Sequence, residues 1–284
     1  MENLIKEKAE EILGQGVNVK YRLLGGMSNY TFVIEKDNQL YTFRQPGENA
    51  FHFVDRRVEE KNIELAESLG ITNHTIYLNK DNGIKIAKYV EGTILSTLDR
   101  SKHLEKVSEV LKVIHQSGLK AENDYGLIER LTKYEGLLES INPRYTELKN
   151  EWLELYKTYS KVTKVLTHGD AQPSNFLITG DHALIVDFEF TANNDPYYDL
   201  ACFGNIDFND ALLLLDVYLD HKTTNEAIKR LIYNRYFQCL QWHLVATYKH
   251  NIGLSEKLHI PFDKVALLYL EKIDALKKQF DEVK

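Results

Sequence analysis

Apolar and polar residues alternate with a period of two through 19–24, 29–35 and 40–45, and these stretches are rich in Tyr, Phe, Val and Thr. That pattern predicts three β-strands, with Asp37-Asn38 as the second turn. Before them, 1–14 reads as a short amphipathic helix stopped by Gly14, and after them 54–69 reads as a helix stopped by Gly70. Two more strands, 74–79 and 83–88, flank the hairpin signal Asp81-Asn82-Gly83. The chain changes character near Tyr89-Val90-Glu91-Gly92. Beyond it, 101–117 carries Leu104, Val107, Leu111 and Ile114 on one helical face, and a further helix is expected at 146–160. Short strands at 163–167, 176–179 and 183–187 precede helices at 208–220, 224–250 and 262–281, the last with Val265, Tyr269, Ile273, Leu276 and Phe280 on one stripe. The prediction is an α+β, two-lobed fold. Residues 1–88 form a five-stranded antiparallel sheet with one inserted helix, and residues 89–284 form a larger, mainly helical lobe. A ligand belongs in the cleft between them.

Composition narrows the function classes. At 284 residues, 43% hydrophobic and 27% charged, the chain is long enough for a substantial core. A net charge of −7 argues against nucleic acid and anionic membranes as partners and favours a cationic co-substrate. The charged N-terminus is unlike a signal peptide, and no apolar run reaches the ~18 residues of a spanning helix. Cys202 and Cys239 stand far apart in apolar surroundings, as expected of buried thiols in a cytoplasmic protein. Nothing in the sequence specifies an oligomeric state.

The chemistry concentrates in 166–189. His168-Gly169-Asp170 is followed five residues later by Asn175, and Asp187 closes the apolar run Ala183–Val186. A carboxylate, a carboxamide and a second carboxylate at this spacing suit phosphoryl transfer from ATP. The first acid orients and deprotonates an attacking hydroxyl, and the other two groups hold magnesium. Asp170 is therefore the candidate base, Asn175 and Asp187 are the candidate metal ligands, and Glu189 is a candidate for a second magnesium through water. Taken alone, Asp170 would equally serve as a turn cap; the three residues together carry the reading. His168 is expected to brace the loop and Asp199 to anchor it from behind, with Asp195 capping a helix before Pro196.

The remaining candidates sit in the first lobe. Gly25-Gly26-Met27-Ser28-Asn29 links two strands, and its small residues would let backbone N–H groups approach phosphate. Arg44 lies on the third strand, facing away from Tyr41 and Phe43, and can grip two phosphate oxygens. Its partner is Glu59 or Glu60, with Glu59 preferred. Ala87 to Tyr89 could offer backbone groups to adenine.

In this order the motifs resemble the choline/ethanolamine kinase family, part of the aminoglycoside-phosphotransferase group with a protein-kinase-like fold: Gly-Gly-x-Ser-Asn29, Arg44, Glu59, His168-Gly-Asp170, Asn175, Asp187-Phe-Glu-Phe190 and Asp195-Pro-Tyr-Tyr-Asp199. The resemblance covers about residues 20–250 and is nearest to bacterial choline kinases that feed phosphorylcholine to surface polysaccharides. It implies an ATP- and magnesium-dependent kinase of a small cationic alcohol. An aromatic cage for a quaternary ammonium would draw on Phe190, Tyr197, Tyr198, Trp242 and Tyr248, with Gln172 beside the base. Trp242 resembles the first member of a Trp-x-x-Trp pair whose second position here is Val245. A family acid falls near Ile206, with Asp207 adjacent. These departures leave ethanolamine or another amino alcohol open as the acceptor. An antibiotic phosphotransferase and a non-catalytic nucleotide-binding scaffold are the alternatives.

Overall fold

The computed structural model describes residues 1–23, 29–47 and 50–283. Strands β1 (Asn18–Leu23), β2 (Asn29–Lys36), β3 (Gln39–Pro46), β4 (Thr75–Leu78) and β5 (Lys85–Lys88) form one antiparallel sheet in the order β1-β2-β3-β5-β4. Asp37 and Asn38 both take left-handed backbone angles, so the β2–β3 hairpin closes in two residues. The period of two then sorts the sheet's side chains. Phe32, Ile34, Phe43 and Ile86 face one way and meet Ile5 and Ala9 of α1 (Glu2–Leu13) in a small core of their own. Arg44 and its cross-strand partner Lys85 face the other way.

Helix α2 (Arg56–Ser68), inserted between β3 and β4, starts where Asp55 accepts a hydrogen bond from Arg57 N. Its apolar residues Ile63 and Ala66 pack into the main core with Leu95, Phe176 and Ile185, so this helix shares its core with the second lobe. That lobe contains α3 (Leu104–His115), α4 (Leu127–Glu135), α5 (Pro143–Tyr159), α6 (Tyr197–Phe203), α7 (Phe208–Tyr218), α8 (Asn225–Asn251), α9 (Leu254–Leu258) and α10 (Phe262–Glu282). Three short strands form a small sheet, β6 (Thr93–Ile94), β8 (Phe176–Thr179) and β9 (His182–Ile185), while β7 (Val165–Thr167) pairs with β10 (Ala192–Asn194). Among the described residues no helix is long and apolar enough to cross a membrane. Both cysteines are buried and free.

Several expectations are corrected. Helices α4 and α6 and strands β6 and β10 were not expected: α6, β6 and β10 are too short or too uniformly buried to show a period, while α4 carries one in Leu127, Ile128, Leu131 and Tyr134 that went unread. The stripe on α10 is wider than expected: Phe262, Ala266, Leu270, Ile273 and Leu276 are buried, and Val265, Tyr269 and Phe280 are half-buried against the same cores. Strand β9 ends at Ile185, two residues before Asp187.

Candidate active site

The catalytic loop hangs from Asp199, on α6. Its carboxylate accepts from His168 N at 2.7 Å and Gly169 N at 2.8 Å, and His115 Nε2 stands 3.0 Å away. His168 is fully buried, with Nε2 on the Val186 carbonyl at 3.0 Å and Nδ1 accepting from Asp170 N at 3.2 Å. One nitrogen donates and the other accepts, so the ring is neutral, and burial pushes its pKa down to about 4. The expected bracing role is what this geometry performs. Gly169 has φ +82°, and a Cβ there would lie 2.1 Å from the Phe190 carbonyl oxygen. Two backbones meet at that point, which only glycine permits.

These supports aim Asp170. Its Oδ2 accepts from Gln172 Nε2 at 2.9 Å and Asn175 Nδ2 at 3.0 Å; the Cys202 thiol points at Oδ1 from 3.7 Å. Burial, followed by the neighbouring Asp187 charge, raises the Asp170 pKa to about 8, against the pull of Gln172. The carboxylate is therefore a far better proton acceptor than an exposed aspartate.

Asp187 lies just past β9 in a left-handed conformation, φ 73° and ψ 66°. This turns its side chain out of the strand direction, and its Oδ1 is buried without a hydrogen-bond partner. The Arg44 guanidinium lies 3.5 Å away without a hydrogen bond, which leaves the oxygen able to take a metal cation as well. Asn175 spends its amide nitrogen on Asp170, which keeps its oxygen for the same cation. Ligand oxygens of Glu59, Asp187 and Glu189 also lie within 4.8 Å of one another. Hard oxygen donors of this kind fit magnesium.

Arg44 closes the site from the sheet side. It forks onto Glu59 at 2.5 and 3.0 Å, donates to the Gly83 carbonyl at 3.1 Å, and stands 3.5 Å from Asp187 Oδ1. Burial works against charge at Glu59, but Arg44 overrides it and holds the pKa at about 2. The choice of Glu59 over Glu60 agrees with this geometry. Three more residues complete the cluster, two of which, Arg56 and Lys85, sequence reasoning missed. Arg56 Nη1 bridges Glu59 at 2.8 Å and Glu189 at 3.0 Å. Asn29, proposed for the nucleotide, donates to the same Glu189 oxygen at 3.0 Å. Lys85, across from Arg44, has its pKa lowered by burial and by that guanidinium. Its two-residue spacing from Ala87 marks it as facing the cleft, a sign available in the sequence. Cys202 and Asn205, discussed below, carried no such sign.

The other candidates are less gathered. Gly25, Gly26 and Ser28 lie outside the described residues. The Ala87 carbonyl takes the Thr42 hydroxyl at 3.4 Å, and Tyr89 N donates to Leu40 O at 3.1 Å. Phe190 backs onto Gly169. Tyr248 meets His52 and Phe53 edge-on, with ring centroids 5.7 and 5.5 Å away. Tyr197 lies under Arg230, 4.2 Å from ring to guanidinium, and Arg230 also forks onto Asp195. Asp195 in turn accepts from Tyr197 N at 2.9 Å, capping α6 as expected. Tyr198 is buried against Tyr125, their hydroxyls 2.6 Å apart, and Trp242 packs against the second-lobe core. These aromatic rings do not converge on one box in this conformation. A cavity of about 560 Å³ between α2, α4 and α5 is lined by Glu189 and Phe190 but by none of Asp170, Asn175 or Asp187, so the chemistry is not placed there.

Comparison with known proteins agrees with this arrangement. Residues 22–229 match the phosphotransferase enzyme family. The chain belongs to that family. Among the family's relatives, Protein LicA of Haemophilus influenzae is 24% identical over 254 residues, covering 83% of this chain and 75% of the relative. The choline kinase LicA from Streptococcus pneumoniae superposes with a TM-score of 0.77 at 24% identity, over 96% of this chain and 99% of that one. A choline/ethanolamine kinase family protein from Mesorhizobium loti gives 0.81 at 19% identity, over 99% and 97%. At these identities the structural likeness speaks to the fold, which is the phosphotransferase two-lobe α+β fold.

Proposed function

We propose that this phosphotransferase moves the γ-phosphoryl group of ATP to the hydroxyl of a small amino alcohol, choline in the first instance, giving phosphocholine. One observation carries the reading: a buried Asp170 with one oxygen fixed by two amides and the other left for a hydroxyl, facing Asn175, Asp187 and the Arg44–Glu59 pair. Arg44 and Lys85 would hold phosphate oxygens. Ala87 and Tyr89 would flank the base. Asn175 and Asp187, with Glu189 beyond, would hold magnesium, which when bound supplies positive charge to the phosphates. Asp170 takes the hydroxyl proton as the acceptor oxygen bonds to phosphorus and the ADP oxygen leaves. On this reading residues 1–88 bind nucleotide and 89–284 carry catalysis and acceptor binding. A cytoplasmic setting, with ATP and reduced thiols, suits the two free cysteines.

The acceptor's size and charge follow from the far side of the base. Arg235 and Lys272 both donate to the carbonyl of Asn205, which touches Gln172. A polycationic aminoglycoside would set further ammonium groups against these two cations. A small alcohol has one charge to place, and the carboxylates and Phe190 can receive it. The names of the relatives favour choline, and the missing Trp partner at Val245 keeps ethanolamine in the test. That test is magnesium-dependent transfer from ATP to choline, ethanolamine and an aminoglycoside panel, with Asp170→Asn as the blank. Selective turnover of choline is expected. Turnover of aminoglycosides alone, or of no alcohol at all, would overturn the proposal.

A further inference from the structure

Gln172 donates its amide nitrogen to Asp170 Oδ2 at 2.9 Å. A carboxamide has nearly the same shape at both ends, so packing cannot choose which end faces the carboxylate. The Asp170 carboxylate, which only accepts, favours the N–H₂ end, and a donor at the far end holds the amide in that sense. Asn205, in the loop after α6, supplies that donor: its Nδ2 donates to Gln172 Oε1 at 2.7 Å. If Gln172 turned over, its oxygen would oppose the Asp170 carboxylate and its N–H₂ would oppose that of Asn205.

Asn205 is itself held from three sides. Its N–H donates to the Cys202 carbonyl at 3.1 Å, and its own carbonyl accepts from Arg235 Nη2 at 3.2 Å and Lys272 Nζ at 2.9 Å. Helices α8 and α10 thus fix the backbone that aims one side-chain amide. The Asn205 Oδ1 atom is buried with no hydrogen-bond partner.

We propose that Asn205 is a positioning residue. It locks the Gln172 amide so that Oδ2 of Asp170 is permanently occupied and Oδ1 is the oxygen presented to the acceptor hydroxyl. It acts through Gln172. This rests on Asp170 being the base.

The test compares Asn205→Ala and Asn205→Asp in the wild-type and Gln172→Leu backgrounds, measuring kcat and the KM for ATP with the alcohol that the enzyme turns over. Asn205→Asp keeps the shape and leaves in place the backbone carbonyl that Arg235 and Lys272 hold, so it guards against misfolding; thermal melts check both variants. It accepts rather than donates, which turns Gln172 the wrong way. Both variants are expected to lose about 10- to 100-fold in kcat, the scale of a small misplacement at a reacting group, with the KM for ATP unchanged. In the Gln172→Leu background the further substitution should cost nothing, because the route is already cut. Wild-type kcat in folded Asn205→Asp, or a loss that recurs in full on top of Gln172→Leu, would overturn the proposal. If Asp170→Asn stays active, the base assignment itself fails; if it is dead while the Asn205 variants are normal, only the present inference fails.

Discussion

Asp170 and Glu59 are both buried carboxylates, yet their surroundings push them in opposite directions. Glu59 is gripped by Arg44 and Arg56 and stays ionised, with a pKa near 2. Replacing it with alanine would leave two buried guanidinium groups to share Asp187 and Glu189, a loss below the ~3–5 kcal/mol of a fully broken buried pair; chemical denaturation of Glu59→Ala should show that loss alongside greatly reduced turnover. Asp170 has no cation of its own, and burial beside Asp187 raises its pKa to about 8. The folded state therefore binds a proton here that the unfolded chain, at the ordinary aspartate value, has already released. Stability from this group is present below its unfolded value and is lost as pH rises through 8. Asp170→Asn should lose about 10²–10⁴ in turnover while still binding ATP. In metal-free buffer it should also melt higher than the wild type, by a margin that widens from pH 6 to pH 9. A margin constant with pH would contradict the raised pKa. The three acids and amides of the motif were legible in the sequence because their spacing alone brings them together. Arg56 and Asn205 were not: an Arg at a helix start and an Asn in a loop are ordinary residues until long-range folding sets them 3.0 Å from Glu189 and 2.7 Å from Gln172.

At the scale of elements, the catalytic loop is a backbone crossing and not merely a row of side chains. Gly169 passes so close to the Phe190 carbonyl that Gly169→Ala must push the two segments apart. The variant is expected to lose stability by more than ~1 kcal/mol and to lose activity beyond that, readable as a lower melting temperature with kcat falling more steeply than folded protein. The long elements were readable for the same reason that they are stable. Strands β2 and β3 and helix α3 bury enough of one face to impose a period, whereas α8 is buried nearly all round and was legible as one long apolar stretch. Helix α10 was legible because its stripe meets α8: Tyr269, on that stripe, lies near Arg235 of α8 and has its pKa raised to about 12 chiefly by burial. Helix α6 spans seven residues with six buried, which leaves no polar face from which to read a period.

At the scale of the molecule, the cores divide the chain differently from its order. The sheet and α1 share one small core; α2, although threaded between two strands of that sheet, is packed into the large one. Amide hydrogen exchange should therefore group α2 with α3 and β8, and β1 to β3 with α1, as separately opening units; protection of α2 that follows the sheet would refute this. The two-lobe outline was legible from the change of pattern near residue 90, but the allegiance of α2 depends on which face Ile63 and Ala66 find, and local sequence does not decide that.

The Arg44–Glu59 pair spans the seam between these two cores. Lifting the sheet to admit a nucleotide would pull a buried cation away from its buried anion, so an open, empty enzyme is electrostatically uphill. Phosphate oxygens arriving at Arg44 offer the separated cation a substitute partner. The nucleotide thereby becomes the agent that makes opening affordable, and the enzyme waiting for it should rest shut.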